Sequence, residues 1–230
     1  MTLKAAIKGW IGEAQVTLAK KIFLDSSIYF DINNVTIPTD NGTTQIDHII
    51  VSPFGIFVVE TKNMEGWIFG DAKRPQWIQS LCGKKSKFQN PLHQNYRHIK
   101  ELSEFLELEE EKFHSLVFFA SDCTFKTDMP PNVMNHGYIP YIKGKTDILF
   151  SPQQVQEFVA TIKSGMKPKT WSARREHIVN LKERFESNTT CPKCSSVLIL
   201  RTVKSGDKAG SQFYGCSQFP KCRYTKALGT

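Results

Sequence analysis

Near its C-terminus the chain carries four cysteines in two close pairs, Cys191 with Cys194 and Cys216 with Cys222, and this spacing restricts what that end can fold into. Each pair can reach one metal ion from a tight turn, the pattern of a zinc site. Four thiolates closing a tetrahedron leave no open position. Zn2+ here is therefore structural and holds together a module too small to fold on an apolar core of its own. The alternative, two disulfides, requires an oxidising compartment, and residues 1–10 lack the apolar stretch of a secretory signal. Between the pairs, residues 197–203 and 212–214 read as the strands of a hairpin, with residues 204–207 as its turn. Cys82 and Cys123 are isolated and read as ordinary buried thiols.

The remainder of the chain must supply its own core. With 230 residues, 40% of them hydrophobic, it is long and apolar enough for one domain of ordinary size beside the small module, and full disorder is excluded. No apolar run approaches the roughly 20 residues that span a bilayer, so the expectation is a cytoplasmic protein with no membrane partner. The formal net charge of +8 makes nucleic acid the leading class of partner. That charge is unevenly placed: residues 1–162 hold 16 basic and 18 acidic side chains, whereas residues 188–230 hold 7 and 1. Within the slightly acidic body, Lys73, Arg74, Lys84, Lys85 and Lys87 form a basic stretch. Glu101, Glu104, Glu107, Glu109, Glu110 and Glu111 read as a solvated helix face and its exit turn.

Apolar periodicity gives the body an order of αβββαββα. A helix is expected over residues 5–23, then strands over 28–38, 45–52 and 55–62. The last two strands are apolar on both faces, which marks them as central and covered by helices on either side. Asn90-Pro91 opens a helix to about Glu107, residues 113–120 and 138–142 read as further strands, and Ser151-Pro152 opens a helix to about Lys163. Residues 163–170 form a linker, and a helix over 171–186, charged around its axis, reads as a solvated spacer.

The polar residues embedded in these strands carry the chemistry. Ser52-Pro53-Phe54-Gly55 favours a tight turn, and if Pro53 and Phe54 form its loop, Ser52 pairs with Gly55 and Asp47 falls opposite Glu60. Directly paired residues have Cβ atoms about 4.5 to 5.5 Å apart, so the two carboxylates repel unless a cation lies between them. Lys62, two residues on from Glu60, shares their face, and Gln45, opposite Lys62, is placed to orient it. Two carboxylates and a lysine at one end of a central hairpin are the parts needed for metal-assisted phosphodiester hydrolysis, with oxygen ligands suited to Mg2+ or Mn2+. The competing reading is a salt bridge at a strand end. His48 alternates to the opposite face. Trp67 and Trp77 suit the core, and Lys73, Arg74, Lys84, Lys85 and Lys87 suit a DNA-facing loop. His93 and His98 are five apart, off the spacing of a helical metal pair, and receive no site.

Two resemblances add to these readings. The run Phe213-Tyr214-Gly215-Cys216-Ser217-Gln218-Phe219-Pro220-Lys221-Cys222-Arg223-Tyr224 resembles the C-terminal zinc ribbon of type I DNA topoisomerases, and the likeness covers nearly all of residues 188–230. It implies single-stranded DNA binding. A basic surface with exposed aromatics is also what stacking on unpaired bases requires. Phe219 and Tyr224 are the candidate stacking residues, Lys221 and Arg223 the candidate phosphate contacts. In the body, Asp47 with Glu60-Thr61-Lys62 matches the D…(D/E)-x-K signature of the restriction-endonuclease-like fold. Residues from about 8 to 107 are similar to the nuclease-related domain, NERD, through Gly12-Glu13, Gln45-Ile46-Asp47-His48, residues 52–62, residues 66–70, Asn90-Pro91-Leu92 and Gln94-Asn95. That resemblance implies an α/β fold with a mixed sheet flanked by helices. It also implies a divalent-metal nuclease whose catalytic residues are Glu13, Asp47, Glu60 and Lys62, with Gln94 as an accessory and with Asp47 and Glu60 holding the metal.

The expected organisation is a nuclease-like domain over residues 1–163, a linker and helix over 164–187, and a zinc ribbon over 188–230. The first functional reading is a Mg2+- or Mn2+-dependent deoxyribonuclease that its ribbon delivers to DNA. The others are a non-catalytic nucleic-acid-binding protein and a protein-interaction adaptor on the same fold. DNA and RNA are not distinguished by the sequence, and a homodimer is compatible with the fold.

Overall fold

The computed structural model describes residues 24–39, 42–167, 187–194, 196–206 and 209–228. The helices expected over 5–23 and 171–186 lie outside these residues, as does Glu13. The chain divides into two compact units, a larger one comprising Met1–Pro38 and Thr44–Lys167 and a smaller one that includes Pro168–Thr230.

The larger unit is α/β. Its main sheet has the order β1-β2-β3-β7-β9, formed by β1 (Phe30–Thr39), β2 (Gly42–Ser52), β3 (Gly55–Lys62), β7 (Phe113–Phe119) and β9 (Val133–Met134). It is mixed: β2 and β3 are antiparallel, β3 and β7 parallel. Alternation along β3 sends Ile56 and Val58 into a core with Ile99 and Leu102 of helix α1 (Pro91–Leu106) and Val155 and Val159 of helix α3 (Pro152–Gly165). Phe57 and Val59 go to the other face, against Tyr138 and Ile142 of α2 (Tyr138–Lys143). Burial on both faces explains why β3 reads as one apolar run. Asn90 caps α1 by accepting the Leu92 amide at 2.9 Å, and Ser151 forms a capping box with Gln154 at the start of α3; each is followed by Pro at the first helical position.

Two expectations are corrected. Residues 138–142 form helix α2 rather than a strand: Pro140 cannot donate to a strand ladder, but in a first helical turn its missing N–H costs nothing, and Gly137 enters that turn at φ 75°. The strand position at the sheet edge is taken by β9. The stretch between Lys62 and Asn90 is not a loop but part of a second sheet, ordered β6-β5-β4-β8, from β4 (Gly66–Phe69), β5 (Gln76–Leu81), β6 (Lys84–Gln89) and β8 (Cys123–Phe125). Its inner face brings Ile68 and Trp77 against Phe119. Among the described residues no helix is long and apolar enough to cross a membrane, which says nothing of membrane-spanning strands.

In the smaller unit, β10 (Leu198–Thr202), β11 (Gln212–Cys216) and β12 (Thr225–Ala227) form an antiparallel sheet in that order. The expected hairpin is there, extended by a third strand.

Candidate functional site

The turn between β2 and β3 sets the register of the body's polar cluster. Ser52 pairs with Gly55, its hydroxyl donates to the Gly55 carbonyl at 3.0 Å, and the ladder runs to His48 opposite Val59. Gly55 has φ 121°, and a Cβ there would come within 2.8 Å of His114 Nε2, so only glycine fits. That is the last pair of the ladder; Asp47 and Glu60 lie one residue beyond it on their strands, and the Thr61 amide donates to Asp47 Oδ2 at 2.8 Å. Glu60 and Lys62 extend the face of Ile56 and Val58, which α1 covers, and there they meet the polar side of that helix. Lys62 Nζ lies 2.6 Å from Glu60 Oε1 and 3.0 Å from Gln94 Oε1. His98 Nε2 is 3.4 Å from Glu60 Oε2, and its Nδ1 is 2.8 Å from Thr44 Oγ1. The His98 ring thus lies between Thr44 and Glu60, one at each of its nitrogens.

Asn95 holds this cluster in place. It is fully buried, and its side-chain amide donates to the Val58 carbonyl at 2.8 Å and the Leu116 carbonyl at 3.2 Å, tying α1 to β3 and β7. With that contact fixed, Gln94 and His98, four apart, face the end of β3 together. Glu60 is 3% exposed. Burial alone would raise its pKa, but Lys62 and His98 outweigh burial and hold the carboxyl below its usual range. The group is thus an ionised, desolvated carboxylate paired with an ammonium.

Of the residues singled out from sequence, Asp47, Glu60, Lys62 and Gln94 come together. Gln45 is exposed and is not the partner of Lys62; Gln94 orients that lysine instead. His98, given no site from sequence, belongs to the cluster. The signal for it was not its distance from His93 but its i, i+4 relation to Gln94. His48 points to the opposite face and bonds Asn33. Lys73, Arg74, Lys84, Lys85 and Lys87 are all exposed, the last three on β6. Trp77 is buried as expected, whereas Trp67 is 52% exposed and not a core residue. Glu101 is also not solvated: it is buried and pairs with Arg97 at 2.8 Å.

In the ribbon the four cysteine sulfurs lie within 4.8 Å of one another, all buried. Cys191 and Cys222 are 3.7 Å apart and Cys194 and Cys216 3.2 Å, far beyond a disulfide bond of about 2.05 Å and near the roughly 3.8 Å edge of a tetrahedron with Zn–S of about 2.3 Å. Crowding alone cannot keep four thiolates charged. The bond with Cys194 holds the Cys191 thiol above its usual range while the reciprocal bond holds Cys194 below, and burial pushes Cys216 up to about 12. A divalent cation removes that conflict, so the donor set fits structural Zn2+. Outside the ion shell, Phe219 is 56% exposed and has two guanidinium carbons near its ring centroid, Arg223 at 5.6 Å and Arg201 at 5.8 Å. Arg201, not singled out from sequence, reaches this position across Gly215, where a Cβ would come within 2.9 Å of its Cδ. Tyr224 is half-buried, with Lys193 Nζ 6.0 Å from its ring, and Lys221 and Arg223 are exposed.

Residues 8–120 match the model of the nuclease-related domain, and residues 188–229 that of the topoisomerase DNA binding C4 zinc finger. An uncharacterized protein of Bacillus anthracis is 35% identical over 192 residues, covering 80% of this chain and 89% of that one. DNA topoisomerase 1 of Methanocaldococcus jannaschii is 44% identical over 43 residues, 19% of this chain and 5% of that protein. DNA topoisomerase 1 of Mycoplasma genitalium is 30% identical over 96 residues, 41% and 13% respectively. No solved structure matches the chain. Since both models match in order and one relative matches along most of its length, the chain belongs to the nuclease-related domain family and carries a topoisomerase-type C4 zinc ribbon behind that domain.

Proposed function

We propose that the protein is a divalent-metal-dependent nuclease that hydrolyses phosphodiester bonds of DNA, with Asp47, Glu60 and Lys62 of the PD-(D/E)XK pattern at its centre and Glu13 completing the set. The observation that carries the reading is the buried Glu60, with Lys62 Nζ 2.6 Å from its carboxylate and with Asp47 tied to the next residue of the strand through the Thr61 amide. Two carboxylates on neighbouring strands offer hard oxygen donors, a set that fits Mg2+ or Mn2+, with Asp47 and Glu60 holding the ion. When bound, it polarises the scissile phosphate and lowers the pKa of a coordinated water. The protein's own part is positioning and charge. Lys62, held by Glu60 and Gln94, orients the attacking water and offsets charge that grows on the phosphate oxygens. His98 and Thr44 fix the Glu60 carboxylate from its far side. The Thr61 amide fixes Asp47.

The ribbon supplies binding. Phe219, set between Arg201 and Arg223, offers a ring for an unpaired base with cations beside it for phosphate, and Tyr224 and Lys221 extend that surface; the ligand this favours is single-stranded DNA. The domain division is 1–163 for chemistry, 164–187 for linkage and 188–230 for binding. Cleavage of supercoiled plasmid and single-stranded DNA in Mg2+ or Mn2+ tests the reading. The expected rates of Asp47→Ala and Lys62→Ala fall about 100- to 1000-fold below wild type. If wild type leaves every substrate intact, or the variants cut as well, catalysis is lost as an explanation. A second reading, a binder that does not cut, is favoured by one observation: both Glu60 oxygens already have partners in Lys62 and His98, as in a structural ion pair.

A further inference from the structure

The second sheet of the body has one face in the core and one turned to solvent. Cross-strand neighbours share a face. The inward set includes Ile68, Trp77 and Phe125, and the outward set by register is Trp67 and Phe69 on β4, Ile78 and Ser80 on β5, Lys85 and Lys87 on β6 and Thr124 on β8. Lys84 belongs to the opposite set, and Lys73 precedes the strand, so the expected basic loop divides into members and non-members of this face. None of the residues in the four strands is acidic. Trp67 is 52% exposed, and Lys126 Nζ, from the segment just after β8, lies 4.6 Å from its ring centroid. Beside it Phe69, Arg74, Gln76, Ile78, Lys85 and Thr127 line a cleft of about 350 Å3. The acid at the cleft, Asp71, is 3.5 Å from Arg74 and so sets no unopposed negative charge there.

We infer that this outward face is a second binding surface for unpaired DNA, on which a base stacks on Trp67 beside Lys126 while backbone phosphates lie along Lys85 and Lys87. A large aromatic left in water with an ammonium at its ring, on strands whose only charged side chains are cations, is complementary to a flat apolar base joined to an anion. Duplex DNA does not match as well, because its bases are already stacked and show a side chain only their edges. The face also lies on the route to the proposed chemistry: Trp67 is five residues beyond Lys62, and five extended residues span at most about 18 Å. The inference rests on the reading of the protein as one that acts on DNA, but it assigns residues that reading does not use, Trp67, Phe69, Ile78 and Lys126.

The test uses the full chain with its zinc, in buffer without added Mg2+ or Mn2+ so that no strand is cut. A thymidine oligonucleotide carrying iododeoxyuridine is photo-crosslinked to the protein and the attached residues are mapped by mass spectrometry. Crosslinks are expected at Trp67 as well as in the ribbon. Affinity for the same oligonucleotide should fall about 5- to 10-fold in Trp67→Ala and be largely kept in Trp67→Phe, which still stacks. Lys85→Ala with Lys87→Ala should reduce the log-log salt slope by roughly 1.4. Crosslinks confined to the ribbon with unchanged affinity of Trp67→Ala would overturn the inference. So would equal losses for Trp67→Ala and Trp67→Phe, since stacking would not then be the contact. A protein that cuts plasmid but gives no Trp67 crosslink disproves this face alone, whereas one that crosslinks at Trp67 but cuts nothing disproves the nuclease reading alone.

Discussion

In the ribbon, four buried sulfurs crowd within 4.8 Å of one another, and their charged forms cannot coexist without an added cation. In the body, Glu60 is just as buried, but Lys62 meets it at 2.6 Å and the chain brings its own counter-charge. The two sites belong to opposite types. A structural ion site leaves its ligand charge uncompensated, so folding and ion binding become one event. A buried carboxylate that already has an ammonium beside it needs no added ion to stay folded. The comparison divides the molecule into a module whose order depends on metal and a domain whose order does not.

Metal removal is the strongest way to break this contrast. Structural zinc in modules of this kind contributes on the order of 10 kcal/mol or more. Chelation should therefore unfold the described ribbon residues, with release of one zinc ion per chain, and leave the body intact. Amide NMR signals are the measure: those of β10 and β11 should collapse to unfolded positions while those of β3 and α1 stay in place. A body that unfolds with the ribbon, or a ribbon that survives chelation, would end the comparison. A smaller effect is expected inside the body. Lys62→Met leaves Glu60 buried without its ammonium, at a cost of about 3 kcal/mol in urea unfolding of the body, the lower end for a broken buried pair because His98 still faces the carboxylate. Adding Glu60→Gln should recover part of that loss, since no charge then remains buried. If the two losses simply add, the pair is not coupled and Lys62 serves chemistry alone.

Sequence made the centre of both sites legible and left their surroundings obscure, for physical reasons. The hairpin register follows from one turn, because Pro53 and Gly55 permit few alternatives, and the alternation of β2 and β3 then places Asp47, Glu60 and Lys62 on one face. Cysteine spacing is equally local. Thr44 left no signal and His98 only its spacing from Gln94, because their roles arise only when α1 lies across β3, a placement set by Asn95 reaching two strands that are far apart in sequence. The second sheet escaped because β6 reads Lys-Lys-Ser-Lys-Phe-Gln, polar on both faces, and an edge strand of that kind lacks the apolar alternation that marks a half-buried one. Its hairpin turn at Cys82 and Gly83, with φ 48° and 77°, holds a glycine signal that a reading for apolar periodicity passes over. Around Pro140 the error ran the other way: an apolar run suggested a strand where the proline, unable to donate to a ladder, sits in the first turn of a helix.

The finest test of the internal counter-charge is the slope of stability with pH. Glu60 in the folded protein is held below the usual carboxylate range, by Lys62 and His98 acting against burial. A depressed pKa means that the unfolded chain takes up the proton first. The stabilising contribution of Glu60 is then complete above the unfolded value of about 4.3 and is lost as pH falls through the lower folded value. In Lys62→Met the balance inverts. Burial then dominates, the folded carboxyl binds its proton more tightly than the unfolded one, and the contribution of Glu60 grows as pH falls toward about 4.3. Other carboxylates add their own slopes to both curves, but acids remote from Glu60 are common to the two proteins and cancel in the difference. The gap in unfolding free energy between wild type and Lys62→Met should therefore be widest near neutral pH and narrow by an amount on the order of 1 kcal/mol as pH falls through the carboxylate range. Parallel curves would mean that Lys62 does not keep Glu60 ionised, and the contrast with the cysteine site would then be lost.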